Sequence, residues 1–98
     1  MKGLSFQEFY DALYYGADID FSFNASFFHI NAGLDKEKHG ILLYEYDKHP
    51  DEKATHCNEI YDKTMFSASD SVESFLQAPI FDGKSVYEIQ NDIEILYS

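Results

Sequence analysis

Arginine and tryptophan are missing from this chain of 98 residues, cysteine occurs once, proline twice and glycine five times. Without arginine the chain lacks the side chain that grips phosphate through two parallel bonds and stacks on bases. Seven Lys stand against 18 Asp and Glu, for a net charge of −11. Both features argue against direct contact with nucleic acid and against docking on an anionic membrane. The lone Cys57 excludes an internal disulfide and fits a reducing compartment. Met1-Lys2-Gly3-Leu4 leads into Glu8 and Asp11 without the apolar stretch of a signal peptide. No apolar run reaches the ~20 residues of a membrane helix, so a cytoplasmic protein is expected. Asn24-Ala25-Ser26 matches a glycosylation sequon, which without secretion is a chance match. Glycine-rich phosphate loops, dinucleotide fingerprints and the G-x-S-x-G elbow are also absent. With 18 carboxylates in hand, no Ser-His-Asp combination stands out from chance. The expectation is a protein that is not an enzyme.

What the chain does have is core material. Hydrophobic residues make up 45%, and nine Phe and eight Tyr supply the bulk. That composition is incompatible with disorder and suits a single domain over residues 1–98. The acidic surface has two readings. It attracts a basic partner, or it serves solubility alone.

Local patterns set the element order. Ser5 and Glu8 have capping-box spacing, and Leu4 and Phe9 are placed for a hydrophobic staple. Phe6, Phe9, Tyr10 and Leu13 recur at helical spacing and Gly16 is a natural stop, which predicts a helix over Phe6 to Tyr15. Ile19, Phe21 and Phe23 alternate with Asp18, Asp20 and Ser22, as in a half-buried strand whose acids face water. Asn24-Ala25 is a tight turn into a second strand over Phe27 to Ala32. Gly33 to His39 reads as a polar loop, and Gly40 to Asp47 as a central strand apolar on both faces. Pro50 breaks the next turn, and a fourth strand runs from Cys57 to Phe66. Ser69 or Asp70 caps a helix carrying Val72, Phe75 and Leu76, which Pro79 ends. Asp82-Gly83 turns the chain into a short helix over Ser85 to Asn91, and Asp92 to Tyr97 is a closing strand. The predicted fold class is therefore α+β, in the order α-β-β-β-β-α-α-β. It has an antiparallel sheet of four to five strands, an N-terminal helix and two short C-terminal helices.

One segment carries the residue types of a metal site. If the third and fourth strands pair, His49 and His56-Cys57 meet at the mouth of one hairpin. Imidazole and thiolate are the ligands that tetrahedral Zn²⁺ prefers. Asp51 is the expected oxygen ligand, with Asp47 as the alternative. The competing reading makes His49 and His56 exposed turn residues and Cys57 a small buried hydrophobe. His39 lies at the far end of the third strand, away from His49, and His29 is read as a packed or partner-facing residue.

Packing supplies a second candidate surface. Helices cover one face of the sheet, while Phe27, His29 and part of the Leu42-Tyr44-Tyr46 row lie on the other. Left uncovered, that face is an interaction surface or a homodimer contact. The alternative is that the third helix covers it.

The stretch Gly16-Ala17-Asp18-Ile19-Asp20-Phe21-Ser22-Phe23-Asn24 resembles the start of small proteins of Gram-positive bacteria and their phages. Ile80-Phe81-Asp82-Gly83-Lys84-Ser85, Glu88-Ile89 and Asp92-Ile93-Glu94-Ile95 resemble their ending. The resemblance spans most of the chain and rests on residues of the fold. The pattern is also similar to small acidic phage anti-CRISPR proteins that inhibit type II Cas9, one group of which contains zinc. Most relatives have Gly after the turn Asn where this chain has Ala25, which leaves the turn type open. The resemblance implies an acidic inhibitor of a basic nucleic-acid-binding effector such as Cas9, whose guide and target lie in a positive channel. The alternative is an immunity protein that neutralises a toxin nuclease.

Overall fold

In the computed structural model, which describes residues 1–98, helix α1 spans Phe6–Tyr14 and begins at the expected capping box. The Glu8 N–H donates to Ser5 Oγ at 3.1 Å and the Ser5 N–H donates to Glu8 Oε1 at 3.0 Å. The helix ends in paired reverse bonds, Ala17 N–H to the Ala12 carbonyl and Gly16 N–H to the Leu13 carbonyl. Gly16, at φ +85°, takes the left-handed position that such an ending requires.

Strands β1 (Asp18–Phe23), β2 (Ser26–Asp35), β3 (Lys38–Tyr46) and β4 (Cys57–Met65) follow as an antiparallel meander. Helix α2 (Ala68–Gln77), helix α3 (Val86–Ile89) and a 3₁₀ turn over Gln90–Asp92 then carry the chain back to β5 (Glu94–Tyr97). Strand β5 pairs antiparallel with β1, so the sheet order is β4-β3-β2-β1-β5. The predicted fold class and element order therefore describe this protein.

Several boundaries differ from expectation. The segment Gly33 to His39 is no loop. Strand β2 continues to Asp35, and a two-residue reversal at Lys36-Glu37 starts β3 at Lys38. Polarity misleads here because this end of the hairpin alternates a buried face with an exposed one, and His39 is among the buried residues. Strand β3 is interior but flanked by β2 and β4, and β2 holds the centre. The cap of α2 is Ser67, whose Oγ accepts the Asp70 N–H at 3.3 Å, so that helix starts ahead of Ser69 and Asp70.

One apolar cluster fills the space between the helices and a single face of the sheet. Phe9 and Leu13 of α1, Val72, Phe75 and Leu76 of α2, and Val86 and Ile89 of α3 meet Ile19, Phe21, Phe28, Ile30, Ile41 and Leu43. Phe21 stacks on Phe28 at 5.0 Å between ring centroids, and Phe81 closes the end of the pair. Burying each of these side chains contributes roughly 1.5–3 kcal/mol. His39 belongs to this core at 1% exposure. Its Nδ1 lies 2.8 Å from Ser71 Oγ, and its Nε2 lies 2.7 Å from the Leu13 carbonyl. The carbonyl can only accept, so Nε2 carries a proton, and in the neutral ring Nδ1 accepts from the Ser71 hydroxyl. One side chain thus ties α1, α2 and β3 together.

The β1–β2 turn resolves the question raised by Ala25. Asn24 and Ala25 have φ of +51° and +65°, the mirror-image turn that usually carries Asn-Gly. A left-handed Ala costs roughly 1–2 kcal/mol. Part of that is offset by the greater flexibility of glycine when unfolded. We expect Ala25→Gly to stabilise the fold by ~0.5–1 kcal/mol, read as a higher denaturant midpoint with an unchanged slope. A lower midpoint would show that Ala25 is unstrained.

Candidate protein-binding face

Because every helix packs on one side, the opposite side of the sheet has no helix layer, and α3 does not cover it. The strand registers arrange its side chains in rows. Glu94, Ser22, Phe27, Tyr46 and Cys57 form the first row. The second is Tyr97, Asp20, His29, Tyr44 and Glu59. Then come Asp18, Asn31, Leu42 and Asp62, next Gly33, Gly40 and Thr64, and finally Asp35 and Lys38. Carboxylates recur through the first three rows, interleaved with aromatic rings; Lys2 approaches Glu94 at 3.8 Å, and Lys48 lines the cleft above the face.

Residues 47–56 fold back over one end of this face. The Asp47 carboxylate closes the base of the loop by accepting the Thr55 hydroxyl, the Thr55 N–H at 3.0 Å and the His56 N–H at 3.1 Å. Further along, the His49 ring packs edge-on against Phe27 and Tyr97. The Tyr97 hydroxyl donates to Asp51 Oδ1 at 2.5 Å, tying the loop to β5 at the opposite edge of the sheet. Loop and sheet enclose a cleft of about 320 Å³ lined by Asp20, His29, Tyr46, His49, Pro50 and Glu52 among others. In its floor, His29 Nδ1 lies 2.8 Å from Asp20 Oδ1, both side chains half-buried. Burial first, and then the neighbouring Cys57 thiol, push the Tyr46 hydroxyl up to about 12, so it stays protonated at neutral pH.

The four expected zinc ligands are not gathered here. No three His, Cys, Asp or Glu side chains stand where they could share one metal ion. His49 and Asp51 are close, with the Asp51 N–H donating to His49 Nδ1 at 3.1 Å. His49 lines the cleft over the sheet, whereas His56 lines a separate one beside Ser26, Glu45 and Asn58. Cys57 stands exposed in register with Tyr46, so it is not a small buried hydrophobe either. The reason is geometric. Asp47 holds the backbone of Thr55 and His56, and β4 begins at Cys57, so two adjacent residues of an extended chain point apart.

The Asp20–His29 pair is what sequence reading missed. Asp20 was expected to face water and His29 to pack or meet a partner. Their positions across the β1–β2 ladder follow from the two-residue turn at Asn24-Ala25. Counting outward from that turn was the available signal.

Asp47 makes the loop sensitive to acid. The Thr55 hydroxyl first, then the His56 and Thr55 N–H groups, hold its carboxyl down at about 2. The folded value is depressed, so the bonds stabilise the closed loop above the ordinary Asp value of about 4. That contribution is lost as pH falls through about 2. We expect the Thr55 and His56 amide resonances to titrate with a midpoint near 2, and this step to vanish in Asp47→Ala. A midpoint near 4 would mean that the loop base is open in solution.

No helix is long and apolar enough to cross a membrane. Comparisons with protein-family models, curated proteins and solved structures return no significant match.

Proposed function

We propose that this chain is a binding module that occupies the basic surface of a nucleic-acid-binding protein, and that it does so with the open face of its sheet. The observation that carries the reading is the make-up of that face. Asp18, Asp20, Glu59, Asp62 and Glu94 alternate with Phe27, Tyr44, Tyr46 and Tyr97, in a chain of net charge −11 without arginine. Carboxylates spaced along strands present a negative potential that steers a positive partner into place. Tyrosines beside them supply rigid contact area.

The named candidate is Cas9, whose channel for guide and target is positively charged. Action there would block nucleic-acid access in the cytoplasm of a bacterial cell. A toxin nuclease, neutralised by the same charge pattern, is the second reading. Binding to the Cas9–guide complex and to a basic nuclease is to be measured from low to high salt. The expected result is saturable binding to one of them that weakens steeply as the Debye length falls below ~10 Å. Affinity that does not change with salt would end the charge-complementarity reading.

A further inference from the structure

The sheet has two edges, and the chain itself covers only one of them. Beside β5 the main chain of Lys2 takes the outer side, donating to the Ile93 carbonyl and accepting from the Ile95 N–H. Nothing does the same for β4. None of the backbone bonds made outside the helices and ladders reaches Cys57–Met65. The bonds from the Asp47 carboxylate stop short of it, at Thr55 and His56. Nine residues of strand therefore turn a row of unpaired N–H and C=O groups outward, a template for one more strand.

The side chains beside this edge decide which strand can join it. The β3–β4 register runs unbroken from Leu43 opposite Tyr61 to His39 opposite Met65. Within that run Asp62 lies on the open face beside Leu42, and beyond the unpaired Ile60 exposed Glu59 lies on the same face beside Tyr44. Tyr61 and Met65 lie on the helix side opposite buried Leu43 and His39, and both are only half-buried. The Tyr61 ring meets Phe75 edge-on at 5.3 Å. Lys63 is drawn toward α2, its Nζ donating to Ser74 Oγ at 3.1 Å. A sixth strand would thus meet carboxylates on one face and unfinished apolar contacts on the other. A wholly apolar strand fails on the first face, and a second copy of this chain brings a like charge of −11. A strand in which Lys or Arg alternates with aliphatic residues satisfies both faces at once.

We propose that the outer edge of β4 pairs with an extended segment of the partner, in which basic residues alternate with aliphatic ones. The main chain of that segment bonds the run from Tyr61 to Met65. Its basic side chains lie against Asp62 and toward Glu59, and its aliphatic side chains continue the row of Tyr61 and Met65. This rests on the reading of the open face as a surface for a basic protein and names how that protein is gripped.

The test uses the whole chain and a capped Lys-Val-Lys-Val-Lys-Val peptide as probe. A version N-methylated at every amide keeps the side chains and charge but removes every main-chain donor. Amide shifts and hydrogen exchange are followed by NMR. The expected result is saturable binding of the first peptide, with outward-facing amides between Tyr61 and Met65 slowed about tenfold or more, and neither effect with the methylated one. Asp62→Lys should weaken binding about tenfold or more and leave the denaturation midpoint in place. Equal binding of the methylated peptide, or shifts confined to the rows of Asp18 and Asp20, would overturn the proposal and leave the acidic face standing. Slowed exchange that needs no peptide and grows with the concentration of the protein would give the edge to a second copy and overturn it as well. No binding of the peptide would also overturn it, while the salt series on whole basic proteins decides the broader reading separately.

Discussion

Replacing Asp18, Glu59 and Asp62 together by Asn, Gln and Asn is expected to slow association with the basic partner by about tenfold or more at low salt. The dissociation rate should change far less. The three carboxylates lie on the open face, and none belongs to an ion pair of the structure. Removing their charge should therefore cost the fold little, and what is lost is long-range attraction, which acts on the encounter rather than on the docked complex. A matched variant neutralises Asp11, Asp70 and Asp92 on or beside the helices. It has the same net charge but keeps the face intact, so its association should slow much less. Stopped-flow measurements of both variants against wild type decide the matter. Equal losses would mean that total charge, and not this face, attracts the partner.

His39→Ala is expected to destabilise the fold by ~3 kcal/mol or more. The imidazole is 1% exposed and bridges the Leu13 carbonyl to the Ser71 hydroxyl. Its removal leaves a cavity where α1, α2 and β3 meet and strips two buried polar groups of a partner. An unpaired buried donor or acceptor alone costs about 1–3 kcal/mol. His39→Asn keeps some bonding capacity on a shorter side chain and should lose less. Equilibrium denaturation of the three proteins measures both effects. A loss below ~1 kcal/mol for alanine would show that water replaces the imidazole at that junction.

The fate of His39 shows what could be read beforehand. Helix α1 was legible because its cap, its period and its stop are all local, from Ser5 and Glu8 to Gly16. The alternation of Ile19, Phe21 and Phe23 likewise places β1 and its buried face. The turn at Lys36-Glu37 was not legible, because two charged residues within a polar stretch carry no signature of a tight reversal. Its φ of +56° at Lys36 is imposed by the long pairing on either side. Once that hairpin is missed, His39 falls into a loop and its role in the core is lost. The candidate face was anticipated through Phe27, His29, Leu42, Tyr44 and Tyr46. The loop over it was read as a metal site from its residue types, and the placing of those residues was not legible. The path of the chain there depends on Asp47 reaching Thr55 and on Tyr97 reaching Asp51.

The place of β5 beside β1 bears on how the chain is made. Strands β1 to β4 pair with their neighbours in sequence, and each can form as the chain lengthens. The outer edge of β1 has no such neighbour and waits for Glu94–Tyr97. Lys2 must then pair along the far side of β5, its N–H donating to the Ile93 carbonyl and its carbonyl accepting from Ile95. During synthesis, then, the strand bearing Ile19 and Phe21 carries bare N–H and C=O groups beside apolar side chains, the arrangement that recruits strands from other chains. At the opposite edge β4 is guarded by Glu59, Asp62 and Lys63 and by an irregularity at Ile60. A nascent chain halted before residue 94 would keep the guarded edge and expose the unguarded one. Forms of this chain stalled or cut before residue 94 would expose that strand to pairing with other chains, and Glu94–Tyr97 covers it.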